Sequence, residues 1–147
     1  MIGIFLLTHS AYGEALIQCA CHVLNKRPPQ IVQLGMAAQD DPLDALPLAG
    51  EMLKLVDSGD GVLILTDIYG ATPANTAMKL LEPGRIEGVA GVNLPMLLRA
   101  LTYREKDLET LVTKAVAVWV SLAEARACRP SLLTISASAR GISASAC

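Results

Sequence analysis

Two apolar runs that end on titratable residues constrain the fold of this chain more than any other feature. The first run, Ile2–Thr8, leads into His9, and the second run, Gly61–Thr66, leads into Asp67. Uninterrupted apolar runs are typical of strands that are covered on both faces, as in a parallel sheet. Parallel α/β sheets place their functional residues in the crevice outside the carboxyl ends of the strands. The pattern therefore predicts a histidine and an aspartate at one edge of a parallel sheet.

Length, composition and charge fit one domain and exclude several classes of function. The chain has 147 residues, of which 52% are hydrophobic and 3% aromatic, so we expect an aliphatic core. The net charge is −2 and basic residues are scattered, which argues against nucleic-acid binding. No apolar stretch reaches the roughly 20 residues of a membrane-spanning helix. No basic segment precedes the first apolar run, so we expect a cytoplasmic protein without a signal peptide.

The cysteine pattern does not indicate a disulfide or a metal site. Cys19 and Cys21 stand two positions apart on a predicted helix, so their side chains point to different faces. No second ligand cluster accompanies Cys19-Ala20-Cys21-His22. We therefore expect these thiols to be buried, His22 to lie at the surface or core edge, and the protein to hold neither metal nor cofactor.

Predicted strands and helices alternate along the chain, which favours parallel pairing through right-handed crossovers. Asn25 suits the end of the first helix, and Asp40-Asp41-Pro42 suits the start of the second, in which Pro47 must sit early or interrupt the helix. Thr72 is predicted to cap the third helix. The predicted strands are Ile2–Thr8, Gln30–Leu34, Gly61–Thr66 and Ile86–Val92, and the predicted helices are Ala11–Asn25, Asp40–Val56, Pro73–Leu81, Pro95–Leu101 and one from Asp107 onward.

His9 and Asp67 suggest nucleophilic chemistry if their strands are neighbours, as they are in a sheet of order 2-1-3-4. A neutral imidazole is nucleophilic, and a carboxylate bonded to one ring nitrogen fixes the tautomer and raises the basicity of the other. The same strand order makes the gap between strands one and three the topological switch point. The fold argument and the chemical argument then select the same place.

The segment Gly70-Ala71-Thr72-Pro73 leads into a predicted helix and favours an anion near His9. A helix N-terminus offers free N–H groups and partial positive charge, and the Thr72 and Ser10 hydroxyls could add donors. We therefore predict a phosphoryl group carried reversibly on His9. The chain has no Walker-type loop, so the donor would be another phosphoprotein.

Other interpretations of the same residues stay open at this point. His9 could be a polar loop residue, Asp67 and Gly70 could serve a turn, and Ser10 and Thr72 could only cap helices. Two further functions fit the same crevice. One is a flavodoxin-like module that binds a nucleotide or flavin, which the low aromatic content disfavours, and the other is a receiver-like domain phosphorylated on Asp67 itself.

Three segments, Ile4–His9, Leu65–Asn75 and Val89–Leu97, are similar to the IIA component of the mannose/fructose/sorbose class of the bacterial phosphotransferase system (PTS). The resemblance spans about residues 1–117. It implies an α/β three-layer sandwich on a mainly parallel sheet of order 2-1-3-4. It also implies that His9 is phosphorylated at Nε2, that Asp67 bonds the other ring nitrogen, and that Thr72 helps to hold the phosphoryl group.

The resemblance further implies partners. HPr would be the phosphoryl donor and a IIB component the acceptor, in sugar uptake or in regulation, with the membrane reached only indirectly through IIC and IID subunits. Family members are typically homodimers, some of which exchange a C-terminal strand. Residues 118–147 depart from the family, because a Ser/Ala-rich tail replaces the usual Gly-Arg-Glu-Gly-Val-like segment. We treat 1–117 as the domain and expect the tail to be a disordered extension, an edge strand or a dimer contact.

Overall fold

Four parallel strands form one sheet in the order β2-β1-β3-β4, with helices on both faces. The computed structural model describes residues 1–37 and 39–118. The predicted fold class and strand order are confirmed, whereas the predicted behaviour of the tail falls on residues outside this description. The elements are β1 Gly3–His9, α1 Tyr12–Leu24, β2 Ile31–Met36, α2 Pro42–Val56, β3 Val62–Thr66, α3 Thr72–Met78, β4 Ile86–Ala90, α4 Leu94–Tyr103 and α5 Leu108–Val116.

The two central strands are buried on both faces, as their uninterrupted apolar sequences predict. Alternate side chains of β1 and β3 point to opposite sides of the sheet. One side packs against α1, α4 and α5, and includes Ile4, Leu6 and Leu63. The other packs against α2 and α3, and includes Phe5 and Ile64. This double cover produces the three-layer sandwich and leaves the carboxyl edge of the sheet open for function.

Several helix boundaries follow the residues that predicted them. Asn25 ends α1 in the left-handed conformation, with φ 54° and ψ 26°. The Asp41 carboxylate caps α2 by accepting a 2.8 Å hydrogen bond from the Leu43 N–H. Pro47 sits early in α2, which continues through it. Asn93 caps α4 through a 2.9 Å bond from the Met96 N–H, so this helix begins at Leu94, one residue before its predicted start at Pro95.

Several local predictions are wrong. β4 ends at Ala90 and not at Val92, and α4 extends to Tyr103 and not only to Leu101. β2 continues past Leu34 to Met36, because residues 35 and 36 still pair with the end of β1. α3 ends at Met78, since the next N–H groups bond carbonyls three residues back in a tighter turn. Thr72 does not cap α3: it is the first helical residue, and Ala71 occupies the cap position without a side-chain hydrogen bond.

Candidate functional site

His9 and Asp67 lie side by side at the carboxyl edge of the sheet. β1 and β3 are hydrogen-bonded neighbours, and their register ends with Leu7 opposite Thr66. The last residue of β1 and the first residue after β3 therefore leave the sheet at the same place. The sequence predicted this meeting from the ends of two apolar runs, and the geometry confirms it.

One carboxylate oxygen of Asp67 accepts two hydrogen bonds from His9. The His9 backbone N–H and the ring nitrogen Nδ1 each lie 2.8 Å from Asp67 Oδ2. The second oxygen, Oδ1, accepts a 2.9 Å bond from the Ile68 N–H. The backbone contact fixes the carboxylate relative to β1, so that the ring contact forms against an acceptor that is already held in place.

The electrostatics of the pair favour an ionised Asp67. Partial burial acts to raise the pKa of Asp67 and is the largest single influence. The hydrogen bonds from the His9 N–H, the His9 ring and the Ile68 N–H together outweigh burial and hold the pKa of Asp67 below its ordinary value. An ionised carboxylate only accepts hydrogen bonds, so a neutral His9 ring must carry its proton on Nδ1. The lone pair is then on Nε2.

The His9 ring is accessible although its partner is sheltered. The His9 side chain is 40% exposed, whereas the Asp67 side chain is 11% exposed. A reactant can therefore reach the ring while the carboxylate stays largely out of water, where its interaction with the ring is stronger. This combination suits a nucleophile and the group that orients it.

Ser10 follows His9 in a strained turn that depends on a glycine of β2. Ser10 has a φ of 46°, in the left-handed region, and its N–H bonds the Met36 carbonyl at 2.9 Å. The Ser10 carbonyl packs against Gly35, where an added Cβ would overlap the carbonyl oxygen. Gly35 thus permits the turn that ends β1 directly after His9, and nothing in the sequence pattern singled it out.

The loop between β3 and α3 leads through Gly70 and Ala71 to Thr72, the other three residues that the sequence predicts to contact a phosphoryl group. Gly70 adopts φ 81°, and Ala71 and Thr72 follow it into α3. Within residues 1–37 and 39–118, neither Ser10 nor these three residues hydrogen-bonds the His9 ring. Ser10 follows β1, and Gly70 and Ala71 lie in the loop after β3 that leads into Thr72, the first residue of α3. Of the predicted site residues that the structure describes, His9 and Asp67 are the pair joined by a side-chain hydrogen bond.

Tyr12 is a contact across the site that the sequence did not predict. Its phenol hydroxyl donates a 3.0 Å hydrogen bond to the carbonyl of Val92, in the loop between β4 and α4. The sequence position of Tyr12, in the first turn of a helix, does not indicate this contact, because Val92 is 80 residues away along the chain. This contact can be predicted only once the strand order is known.

The cysteines differ from the expectation of buried thiols. Cys19 is exposed, Cys21 is partly buried and packs against the core on the α1 side of the sheet, and both are free. The burial prediction fails for Cys19 because it stands on the outer face of α1. His22 is exposed, as predicted. Among the described residues, no group of three or more His, Cys, Asp or Glu side chains is arranged to hold a metal ion.

Comparison with known proteins gives the family. Residues 3–116 match the family described as PTS system fructose IIA component. The mannose-specific EIIAB component of Escherichia coli K12 is 29% identical over 118 residues, which cover 78% of this chain and 36% of that protein. The fructose-specific EIIA component of Bacillus subtilis is 45% identical over 63 residues, covering 40% of this chain and 43% of that protein. The chain thus spans about a third of the length of the E. coli relative.

Solved structures share the fold. The phosphotransferase system component EIIA of Streptococcus agalactiae superposes with a TM-score of 0.73 at 21% identity, covering 84% of this chain and 99% of that one. The mannose/sorbose-specific IIA subunit of Enterococcus faecalis superposes with a TM-score of 0.68 at 21% identity, covering 82% and 94%. In the described part of this chain, no helix combines the length and apolarity needed to cross a bilayer. The family match over residues 3–116 shows that the chain belongs to the IIA components of the mannose/fructose class of the PTS.

Proposed function

We propose that this protein carries a phosphoryl group on Nε2 of His9, receiving it from phosphorylated HPr and passing it to a IIB component. The observation that carries the proposal is the pair of 2.8 Å contacts from His9 to one oxygen of Asp67. They leave Nε2 as the ring nitrogen that does not face Asp67, on a side chain that is 40% exposed and whose tautomer is fixed. The resemblance of the sequence to the family implies the same two side chains.

The proposed step needs no proton transfer at the protein. The Nε2 lone pair attacks phosphorus while the bond from phosphorus to the leaving atom of the donor breaks. Nδ1 keeps its proton throughout, and the positive charge that develops on the ring is stabilised by the Asp67 carboxylate. Transfer to the acceptor is the reverse process. Catalysis then consists of positioning and charge stabilisation, as is usual in phosphoryl transfer.

We further propose that the two loops beside His9 contact the bound phosphoryl group. Ser10 and Thr72 would each donate a hydroxyl, and the backbone of Gly70 and Ala71 would line the same space. Their placement in the loops that follow β1 and β3 supports this assignment. Contacts of this kind favour transfer of the phosphoryl group between two proteins over its hydrolysis by water.

The surroundings of His9 favour a protein as the reaction partner. Ile68 and Tyr69 are 59% and 80% exposed and follow Asp67 directly. A donor that brings phosphorus within bonding reach of Nε2 would cover them and bury apolar surface. The loops after the four strands contain Asp40, Asp41 and Asp67 but no lysine or arginine, so a basic partner surface is favoured electrostatically.

The E. coli relative is named an EIIAB component, and this chain spans 36% of it. We propose that the acceptor here is a IIB protein or domain, in sugar uptake or in regulation, and that the protein works in the cytoplasm. Residues 1–117 are proposed to form the functional domain, and a homodimer is the proposed assembly.

Phosphorylation of the purified protein tests the proposal. We expect incubation with phosphoenolpyruvate, enzyme I and HPr to add one acid-labile phosphoryl group. His9→Ala should abolish the label, whereas His22→Ala, which changes an exposed histidine of α1, should keep it. Undiminished labelling of His9→Ala would overturn the proposal. An acid-stable, hydroxylamine-sensitive label would instead indicate Asp67, although both oxygens of Asp67 are already engaged.

A further inference from the structure

Tyr12 connects the two parts of the chain that carry His9 and Asp67. It is the first residue of α1, three positions after His9, and its hydroxyl reaches the Val92 carbonyl at 3.0 Å. In the sheet order β2-β1-β3-β4, Val92 lies beyond the end of β4. The phenol therefore spans the carboxyl end of β3, on the side of the sheet where α1 and α4 pack together.

Val92 is itself fastened to the end of β3. The Val92 N–H bonds the Thr66 carbonyl at 2.9 Å, and the Gly91 N–H bonds the Asp67 carbonyl at 3.1 Å. The peptide around Val92 thus holds the backbone of Asp67 through its amides and the start of α1 through its carbonyl. A continuous chain of hydrogen bonds runs from the segment after His9 to the backbone of Asp67.

This chain of hydrogen bonds through Tyr12 and Val92 matters because the pairing of β1 with β3 ends before it reaches His9 and Asp67. Its last pair is Leu7 and Thr66. Beyond that pair, the hydrogen bonds described between the two strand ends are the direct contact of His9 with Asp67 and the indirect path through Tyr12 and Val92. A contact that depends on two 2.8 Å distances to one oxygen tolerates little movement of either strand end.

We propose that Tyr12 is a positioning residue for phosphoryl transfer, acting through the Tyr12–Val92 hydrogen bond on the His9–Asp67 pair. This rests on the proposed function for its effect on rate, but its effect on the His9 ring does not. The Tyr12 side chain is 42% exposed, so removal of the hydroxyl leaves no buried cavity. Its loss releases the start of α1 from the end of β3, and the His9 ring then samples orientations in which Nδ1 no longer faces Asp67.

The test compares Tyr12→Phe with Tyr103→Phe. Tyr103 lies at the far end of α4, where Arg99 and Lys114 stand over its ring, so its hydroxyl is remote from His9. Nitrogen-15 NMR of the unphosphorylated proteins reports whether the neutral His9 ring carries its proton on Nδ1. The initial rate of phosphorylation by HPr is measured on the same samples, at saturating and limiting donor.

We expect Tyr12→Phe to remain folded and to show a mixture of the two His9 tautomers. Its maximal phosphorylation rate should fall several-fold, while the donor concentration for half-maximal rate should change little. Tyr103→Phe should match the wild type in both measurements. A Tyr12→Phe protein with the wild-type tautomer and rate would overturn the positioning role. Failure of the wild type to accept a phosphoryl group would overturn the proposed function instead, while the NMR comparison would still judge the role of the Tyr12–Val92 hydrogen bond.

Discussion

Asp67 Oδ2 accepts both the backbone N–H and the ring Nδ1–H of His9, each at 2.8 Å. One oxygen therefore fixes both the backbone and the side-chain ring of His9. The other oxygen accepts the Ile68 N–H, so that three donors converge on one carboxylate. Because all three are donors, a side chain with a donor of its own cannot replace Asp67 without leaving one hydrogen bond unmade.

Asp67→Asn should therefore lower both activity and stability. The amide nitrogen of the new side chain must face either His9 or Ile68, and in both cases its N–H groups oppose an N–H group of that residue. We expect the free energy of unfolding to fall by about 1–3 kcal/mol and the phosphorylation rate to fall by at least about tenfold, since the ring loses its charged partner. Urea unfolding and initial-rate measurements test this. Asp44→Asn, on exposed α2 surface, should leave both quantities near the wild type; a wild-type rate for Asp67→Asn would remove the orienting role.

The lowered pKa of Asp67 predicts a pH dependence of stability. The folded state favours the ionised carboxylate, so this contribution is fully present above the unfolded-state pKa, near the ordinary value of 3.8. It is lost as the pH falls through the lower folded-state pKa. We expect the stability difference between the wild type and Asp67→Asn to shrink as the pH falls below about 4, where the Asp67 carboxylate becomes protonated. Comparison with the variant removes the contributions of Asp57 and Asp107, whose pKa values are also lowered. A difference that does not vary with pH would contradict the assignment.

Gly35→Ala should disturb the site from the neighbouring strand. The added Cβ would overlap the Ser10 carbonyl oxygen, so that either β2 or the turn after His9 must shift. We expect a loss of about 1–3 kcal/mol in stability together with slower phosphorylation. In Gly50→Ala, on α2, an added Cβ meets nothing within 4 Å, and that variant should gain about 0.5–1 kcal/mol. Equal phosphorylation rates for the two variants would show that the Ser10 turn does not influence His9.

Replacement of exposed apolar residues beside His9 should weaken partner docking alone. We expect Ile68→Ser with Tyr69→Ser to raise the HPr concentration for half-maximal phosphorylation by about tenfold or more, with unchanged thermal unfolding. Leu55→Ser removes a side chain that is 72% exposed on α2, away from the site, and serves as the control. If Leu55→Ser raised this HPr concentration more than the double variant does, the docking surface would lie on α2 and not beside His9.

The sequence predicted those parts of the site that depend on strand ends. Two apolar runs were enough to predict that His9 and Asp67 lie at one edge, because such runs are typical of strands covered on both faces of a parallel sheet. The role of Gly35 and the Tyr12–Val92 bond could not be predicted. They depend on which loops meet in space, and neither residue type carries a local pattern that reports it.

Local propensity failed where tertiary pairing decides the structure. A strand propensity argument ends β2 before Gly35, yet pairing with β1 carries the strand on to Met36. Thr72 followed by Pro73 predicts a helix cap, but the chain begins the helix one residue earlier, with Ala71 in extended conformation at the cap position. Both errors lie within two residues of an element boundary, where the preference of single residues predicts the structure least well.

The position of the phosphoryl group on the His9 ring tests the central claim most directly. Nitrogen-15 and phosphorus-31 NMR of the phosphorylated protein distinguish the two ring nitrogens. We predict that phosphorus is bonded to Nε2 of His9 and that Nδ1 keeps a proton whose signal shows hydrogen bonding to Asp67. Phosphorus bonded to Nδ1, or to any residue other than His9, would contradict the account.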